Sequence, residues 1–405
     1  MCHPNRSTKR FHSAPTSRKV SKDGRHTSQD TVLLELLTSV YRVPKQITEF
    51  FSSRFSIMGS LLCTPTPTQL NARITGGRTP DRTIDIGALI KHQEMTRDLP
   101  VPSLNPGQLR ACKKALSVLR QKVNDSSGFG EIDQEYDALP AEELSDYRAP
   151  TEKTAAVLPN NRAKNRYRNV LPCILKIDFK VALYVVLSGF FFSRDHAYNN
   201  LPLFIATQGP LSSTVSDFWA MVLQQRCPII VMLTQIVDGD QNKCAHYFPR
   251  DENQTQTHGQ ITVTNRKTSL SQHGIVRRVF EVQDTKFTEP LLTMVHYEYL
   301  EWPDFSVPPS TRSVRELTRA LSSIPPSAGP FVVHCSAGIG RTGTFCVIDH
   351  TLRRILGGDL EAVDIKSTVR NFRSQRDGMV QTRDQYQFCY QAVEKELEDY
   401  VRGQK

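Results

Sequence analysis

Apolar positions Leu109, Cys112, Leu116, Leu119 and Val123 recur three or four residues apart behind an Asn-Pro turn at Asn105 and Pro106. That spacing gathers them near one face and predicts an amphipathic helix, with order beginning near Ser103. A second short helix is expected over 130–138. Beyond Tyr167 the pattern changes to runs rich in β-branched and aromatic residues: CPIIVMLTQIV, ITVTN, RRVFEVQD, LTMVHYEYLEW and PFVVHC. These read as strands. Helical spacing returns at 313–321, 343–356, 362–375 and 385–401, so the pattern predicts a mixed α/β domain with most of its helices late.

Residues 1 to about 100 behave differently. Two apolar patches, Thr31 to Val43 and Phe50 to Leu62, interrupt a mixture of Ser, Thr, Pro and Arg without sustained periodicity. The segment 1–104 is therefore expected to be a mostly disordered tail, with at most a transient helix in the first patch. The chain of 405 residues carries a formal net charge of +10. Much of it sits on Arg6, Lys9, Arg10, Arg18, Lys19, Lys22 and Arg25, faced only by Asp23 and Asp30. This reads as a solvated basic tail, although a Ser-rich, Arg-rich, acid-poor start also suits an organellar transit peptide. No basic-and-aromatic motif accompanies the charge, so nucleic acid is not an expected partner.

The nine cysteines include no CxxC pair and no Cys/His cluster at zinc spacing. Reduced thiols, no metal and a cytoplasmic or nuclear location are expected. The most apolar run, Val181 to Phe192, is shorter than the roughly 18 to 20 residues that span a bilayer. No membrane span is expected.

Chemistry concentrates in Val332-Val-His-Cys-Ser-Ala-Gly-Ile-Gly-Arg-Thr-Gly-Thr344. A cysteine followed by an arginine six positions on also occurs at Cys244 and Arg250, so spacing alone decides nothing. The filling differs. CAHYFPR is bulky, whereas Ser336, Ala337, Gly338, Ile339 and Gly340 include small residues and two glycines that let successive backbone N–H groups converge on an anion. An apolar strand leads in and a helix is expected to open near Gly340 to Gly343, aiming its N-terminal dipole at Cys335, a setting in which thiols ionise and act as nucleophiles. Arg341 would grip two phosphoryl oxygens with its planar fork. Thr342 would offer a hydroxyl to the departing sulfur, and His334 reads as either a loop-orienting or an ordinary core histidine. The required acid and base is Asp304, in Trp302-Pro303-Asp304-Phe305-Ser306, although a solvated turn aspartate is the commoner use of such a residue.

With these motifs in place, the chain resembles the tyrosine-specific protein tyrosine phosphatases, the soluble non-receptor type, and among them the plant enzymes, from about Asn105 to Tyr400. The resemblance implies a catalytic domain over 105–402 with a twisted, mixed β-sheet flanked by helices. It makes Cys335 the nucleophile, Arg341 the phosphate ligand and Trp302-Pro303-Asp304 a movable acid loop. Lys164-Asn-Arg-Tyr-Arg-Asn-Val-Leu-Pro172 matches the family's phosphotyrosine loop, implying that Tyr167 stacks on the substrate ring. Asn169 stands where many members carry a backbone-holding Asp. Gln381 and Gln385 match the glutamines that position water and cover the pocket. Lys243 matches a lysine that contacts the acid loop, and Asp238 falls where relatives brace the arginine with Glu. Taken singly, Tyr167 could be a core aromatic, the glutamines helix caps and Lys243 a surface lysine. The resemblance implies phosphotyrosine proteins as partners, mitogen-activated protein kinases among them, and no cofactor; it leaves the oligomeric state open.

Two departures from the family pattern stand out. Residues 173–197 replace two expected strands with a stretch apolar on both alternations, consistent with a translated intron or alternative exon. Phe305 and Ser306 replace a frequent His-Gly pair, which predicts slower loop closure. A phosphotyrosine-binding pseudophosphatase, a poorly active splice product and a dual-specificity phosphatase therefore stay open as alternatives.

Overall fold

The structure, a computed structural model, describes residues 99–123, 130–145, 156, 158–171, 201–286 and 291–404. Of the tail expected over 1–104, residues 1–98 lie outside the described residues, as does the atypical segment 173–197, whereas Leu99, Val101 and Leu104 pack against the core.

A seven-stranded sheet runs in the order β1-β9-β2-β8-β7-β6-β5. Its parallel half contains β1 (Phe204–Thr207), β9 (Phe331–His334), β2 (Ile229–Met232) and β8 (Leu292–Tyr299). Its antiparallel half continues through β7 (Ile275–Asp284), β6 (Ile261–Leu270) and β5 (Thr255–His258). A two-stranded hairpin, β3 (Val237–Asp238) with β4 (Gln241–Asn242), stands beside it. The sheet is mixed as expected.

Both faces of β9 are covered, which explains why the run FVVH does not alternate apolar with polar. Phe331 and Val333 point into one core with Ala206, Val231 and Val295, under helices α1 (Pro106–Val123), α2 (Gly130–Ser145), α4 (Arg312–Ser322), α5 (Gly340–Leu356), α6 (Ile365–Arg373) and α7 (Arg383–Arg402). Val332 points into the other core with Ile205, Ile230 and Phe280, closed by α3 (Val215–Gln224) through Phe218 and Trp219. The indole of Trp219 donates to the Tyr247 carbonyl at 2.7 Å, so its one polar atom is satisfied in the buried layer.

The apolar stripe read at 106–123 is the buried face of α1, with Cys112, Ala115, Leu116 and Leu119 inside. The strands at 261–265 and 277–284 extend further than their apolar runs, because β6 and β7 pair to their ends across a bulge at Asn265/Lys267. The helix expected over 362–375 divides into a 3-10 turn, Leu360–Val363, and α6, which Asp364 caps by accepting from the Ser367 N–H at 3.0 Å. The sequence pattern missed β1 and α3. β1 holds only four residues, too few for a periodic signal.

Helix α4 follows the acid loop directly and is tied to α7 by ion pairs. Arg319 donates to both oxygens of Glu396 at 2.7 and 2.8 Å and to Asp399 at 2.7 Å, and Arg315 joins both carboxylates. Glu396 is 0% exposed. Removing one partner from a buried network strands the rest without water or counter-charge. Glu396→Ala is therefore expected to destabilise the domain by about 3 kcal/mol in urea melts, whereas exposed Arg402 should tolerate alanine within about 0.5 kcal/mol.

Candidate active site

The cysteine loop leaves the C-terminal edge of β9, flanked in register by β1 and β2. Edges of this kind in parallel sheets open crevices where ligands bind. Cys335 lies at the floor, 3% exposed, and its Sγ accepts from the Gly338 N–H at 3.2 Å.

Every carbonyl from Cys335 to Gly340 is engaged. His334 Nδ1 meets the Cys335 oxygen at 3.3 Å, and Gly209 N–H donates to Ser336 at 3.0 Å. Arg376, buried, donates to Ala337 at 2.9 Å and Gly338 at 2.7 Å. The N–H groups of Val380 and Gly343 both donate to Ile339, and the Thr344 hydroxyl donates to Gly340. With its carbonyls held by the surrounding protein, the loop leaves its amides for the space above the sulfur, which makes an anion nest. Gly338 has φ +73°, and a Cβ there would stand 2.1 Å from the Thr207 oxygen, so no side chain fits.

The acid loop folds over this nest. Asp304 Oδ1 accepts from Arg341 at 2.6 Å and Oδ2 from Lys243 at 2.6 Å, so one carboxylate bridges two cations above Cys335. Arg341 also donates to the Trp302 carbonyl at 2.9 Å. Trp302 is buried against Phe388, and its indole donates to the Ser306 carbonyl at 2.9 Å, which also accepts from Gln385 at 3.3 Å. The left-handed residue of this loop is Phe305, at φ +54° and 62% exposed, rather than Ser306. The expected penalty for lacking glycine at 306 thus has no backbone basis here; the strain sits one residue earlier.

Tyr167 walls the pocket and its hydroxyl shares a hydrogen bond of 2.9 Å with the Ser336 hydroxyl, which donates to the Lys243 carbonyl at 3.1 Å. Gln381 Oε1 lies 3.0 Å from where a Cβ on Gly340 would stand, so it overhangs the loop, and its N–H donates to Gln385 Oε1 at 3.0 Å. Asn169 is exposed. Thr342 is buried with a hydroxyl that meets no partner, Cys335 included. Asp238 is exposed on the hairpin and makes no ion pair with Arg341, whose acidic partner is Asp304. Cys244 is buried after β4 and burial pushes its thiol up to about 12, as expected of an inert core cysteine. Among the described residues no group of three or more His, Cys, Asp or Glu gathers to hold a metal ion.

Sequence reasoning missed Arg376, Arg373, Arg166 and Tyr247. Arg166 clamps the phosphotyrosine loop to the Gly209, Pro210 and Asn242 carbonyls at 3.0, 2.9 and 2.7 Å. Val369, Phe372, Arg373 and Arg376 share helical spacing, and arginines on an apolar stripe are the signal that could have exposed two of them. Tyr247 sits between two buried histidines, 2.7 Å from His334 Nε2 and 2.8 Å from His296 Nε2. A carbonyl only accepts, so His334 Nδ1 carries the proton, its Nε2 accepts from Tyr247, and His296 Nε2–H donates to the tyrosine oxygen. His296 Nδ1 is then the bare nitrogen, and it has no partner.

Arg376→Met is expected to weaken competitive inhibition by inorganic phosphate at least about tenfold and to cost about 2 kcal/mol of stability, since two loop carbonyls lose a charged donor. The histidines give a separate expectation. Burial, outweighing the Cys335 carbonyl contact, pushes His334 down to about 4, and burial holds His296 well below its ordinary value. Between about pH 6.5 and 4 the unfolded chain therefore binds protons that the folded one refuses. Stability should fall as pH is lowered from 7 to 5, read from the midpoints of urea melts.

The sequence model of the family described as "Protein-tyrosine phosphatase" matches residues 161–395. The chain is 42% identical over 309 residues to Protein-tyrosine-phosphatase PTP1 of Arabidopsis thaliana, covering 74% of this chain and 89% of that one. It is 36% identical over 292 residues to human Receptor-type tyrosine-protein phosphatase eta, covering 71% of this chain but 20% of the relative. Tyrosine-protein phosphatase non-receptor type 9 of Rattus norvegicus is 34% identical over 252 residues, 58% of this chain and 42% of its own. No helix among the described residues is long and apolar enough to cross a membrane. The nest around Cys335, the Arg341–Asp304 pair above it and these likenesses agree: the chain belongs to the protein-tyrosine phosphatase family.

Proposed function

We propose that the domain over 105–402 hydrolyses phosphotyrosine in proteins through a phosphate covalently held on Cys335. The observation that carries this reading is the convergence of Cys335 Sγ, the Arg341 guanidinium and the Asp304 carboxylate in one amide-lined nest. An arriving phosphate takes the place of the Asp304 carboxylate on Arg341, and the loop amides receive its remaining oxygens. The sulfur attacks phosphorus, the P–O bond to the aryl oxygen breaks, and Asp304 gives that oxygen a proton.

In the second step Gln381 directs a water whose oxygen attacks phosphorus. Asp304 takes the water's proton, and the S–P electron pair returns to Cys335. Thr342 supports this return with its otherwise unpartnered hydroxyl. Lys243 holds Asp304 through both steps.

Depth supplies the substrate class. Cys335 is 3% exposed and the Tyr167 hydroxyl is tied to its loop through Ser336, which supports a phosphate carried on an arm as long as a tyrosine ring. Phosphoserine is too short to reach the sulfur. Phosphotyrosine on mitogen-activated protein kinases, acted on in the cytoplasm or nucleus, belongs to this proposal through the resemblance to plant members.

Cys335→Ser is expected to abolish turnover of a phosphotyrosine peptide while retaining its binding, measured by calorimetry; turnover by that variant would sink the mechanism. Asp304→Ala should lower kcat by about 10²- to 10⁴-fold with little change in KM. A phosphoserine peptide of the same sequence should remain uncut by the wild-type protein.

A further inference from the structure

Helix α2 lies far from Cys335 in sequence, yet it touches the segment that carries Gln381. The Tyr136 hydroxyl donates to the Gln381 carbonyl at 2.7 Å. The two preceding carbonyls are also taken: Arg373, buried, donates to Met379 and Val380, each at 2.9 Å. The Tyr136 ring lies under that same guanidinium, 5.6 Å from its carbon. Three successive carbonyls, 379 to 381, are therefore fixed by one arginine and the tyrosine stacked on it.

That fixation has something to oppose. Val380 has φ +61°, a left-handed conformation that a β-branched residue avoids. Left to itself, the segment would relax and swing the Gln381 side chain away from the overhang above Gly340. Strain of this kind persists only where neighbours over-determine it.

Helix α2 is well placed to provide a fixed anchor. Ile132 and Leu139 bury its apolar side, Glu135 accepts from the Tyr386 and Tyr390 hydroxyls at 3.0 and 2.7 Å, and Asp137 accepts from Arg383 at 2.7 and 2.9 Å. Those three polar partners, Tyr386, Tyr390 and Arg383, all lie in α7, which begins two residues after Gln381.

We propose that Tyr136 is a positioning residue for the second chemical step, holding Gln381 where it selects and directs the water that attacks the phosphorylated cysteine. This inference rests on the reading of Gln381 given above. The first step, which uses Cys335, Arg341 and Asp304, does not pass through Tyr136. Loss of the hydroxyl should thus act on the fate of the phosphorylated enzyme and leave its formation intact.

The phosphorylated cysteine can pass its phosphoryl group to water, giving inorganic phosphate, or to an added alcohol. With glycerol, a hydroxyl oxygen attacks phosphorus, Asp304 takes the hydroxyl proton, the S–P electron pair returns to sulfur and glycerol phosphate leaves. The ratio of p-nitrophenol to inorganic phosphate released from p-nitrophenyl phosphate in glycerol reports this partition, and it does not depend on how much of a variant is folded.

Tyr136→Phe keeps the ring under Arg373 and removes only the donor. It is expected to raise the share passed to glycerol and to lower kcat by about fivefold, the size of one lost hydrogen bond, with kcat/KM near that of wild type. Gln381→Ala should raise the same share further. A wild-type partition in Tyr136→Phe beside a raised one in Gln381→Ala overturns the inference while leaving the reading of Gln381 standing. A wild-type partition in Gln381→Ala overturns that reading and the inference with it. Equal losses in kcat and kcat/KM for Tyr136→Phe, with unchanged partition, would make the tyrosine merely structural and likewise end the proposal.

Discussion

The carbonyl oxygens of residues 335 to 340 have to be held away from the space above the sulfur, because a peptide that turns its oxygen inward replaces a donor with a repelling charge. Five parts of the fold hold the six: a histidine ring on β9, a backbone amide from the turn after β1, Arg376 beyond α6, which takes two, the strained segment at Val380 and the first turn of α5. Together they fix a loop whose inward amides cost no reorganisation when a phosphate arrives.

The same economy governs the charges. Arg341 is buried with one carboxylate, and that carboxylate is also held by Lys243. A phosphate that displaces Asp304 from Arg341 leaves it beside Lys243, still within the site. The acid loop is anchored by Trp302 in the core and by the Ser306 carbonyl, which accepts from both the Trp302 indole and Gln385.

Supporting groups outside the loop lie on elements that look unremarkable in isolation. Tyr247 joins His334 to His296 across two strands of the sheet, and the direction of the protons in that chain follows from a single carbonyl contact at Cys335. Tyr136 reaches the site from a helix that the sequence marks only as a short acidic segment. Each contributes a hydrogen bond to a backbone or ring next to the site.

The amphipathic stripe of α1, the strands around 277–299 and the strand-to-helix setting of Cys335 were legible because periodicity is a local property of the chain. So were the glycines of the loop and the aspartate that the structure pairs with Arg341, because both stand in short local motifs. The sequence alone did not reveal Arg376, Arg166, Tyr247 or Tyr136, because an arginine's or tyrosine's partner is set by which elements pack together. It also misdirected the acidic partner of Arg341, expected from Asp238 but found in Asp304, and it did not reveal that the left-handed residue of the acid loop is Phe305. Short elements such as β1 carry too few residues to announce themselves, and contacts between residues a hundred positions apart exist only once the sheet has brought them together. What the chain determined by itself was the chemistry; where each supporting hydrogen bond came from was decided by packing.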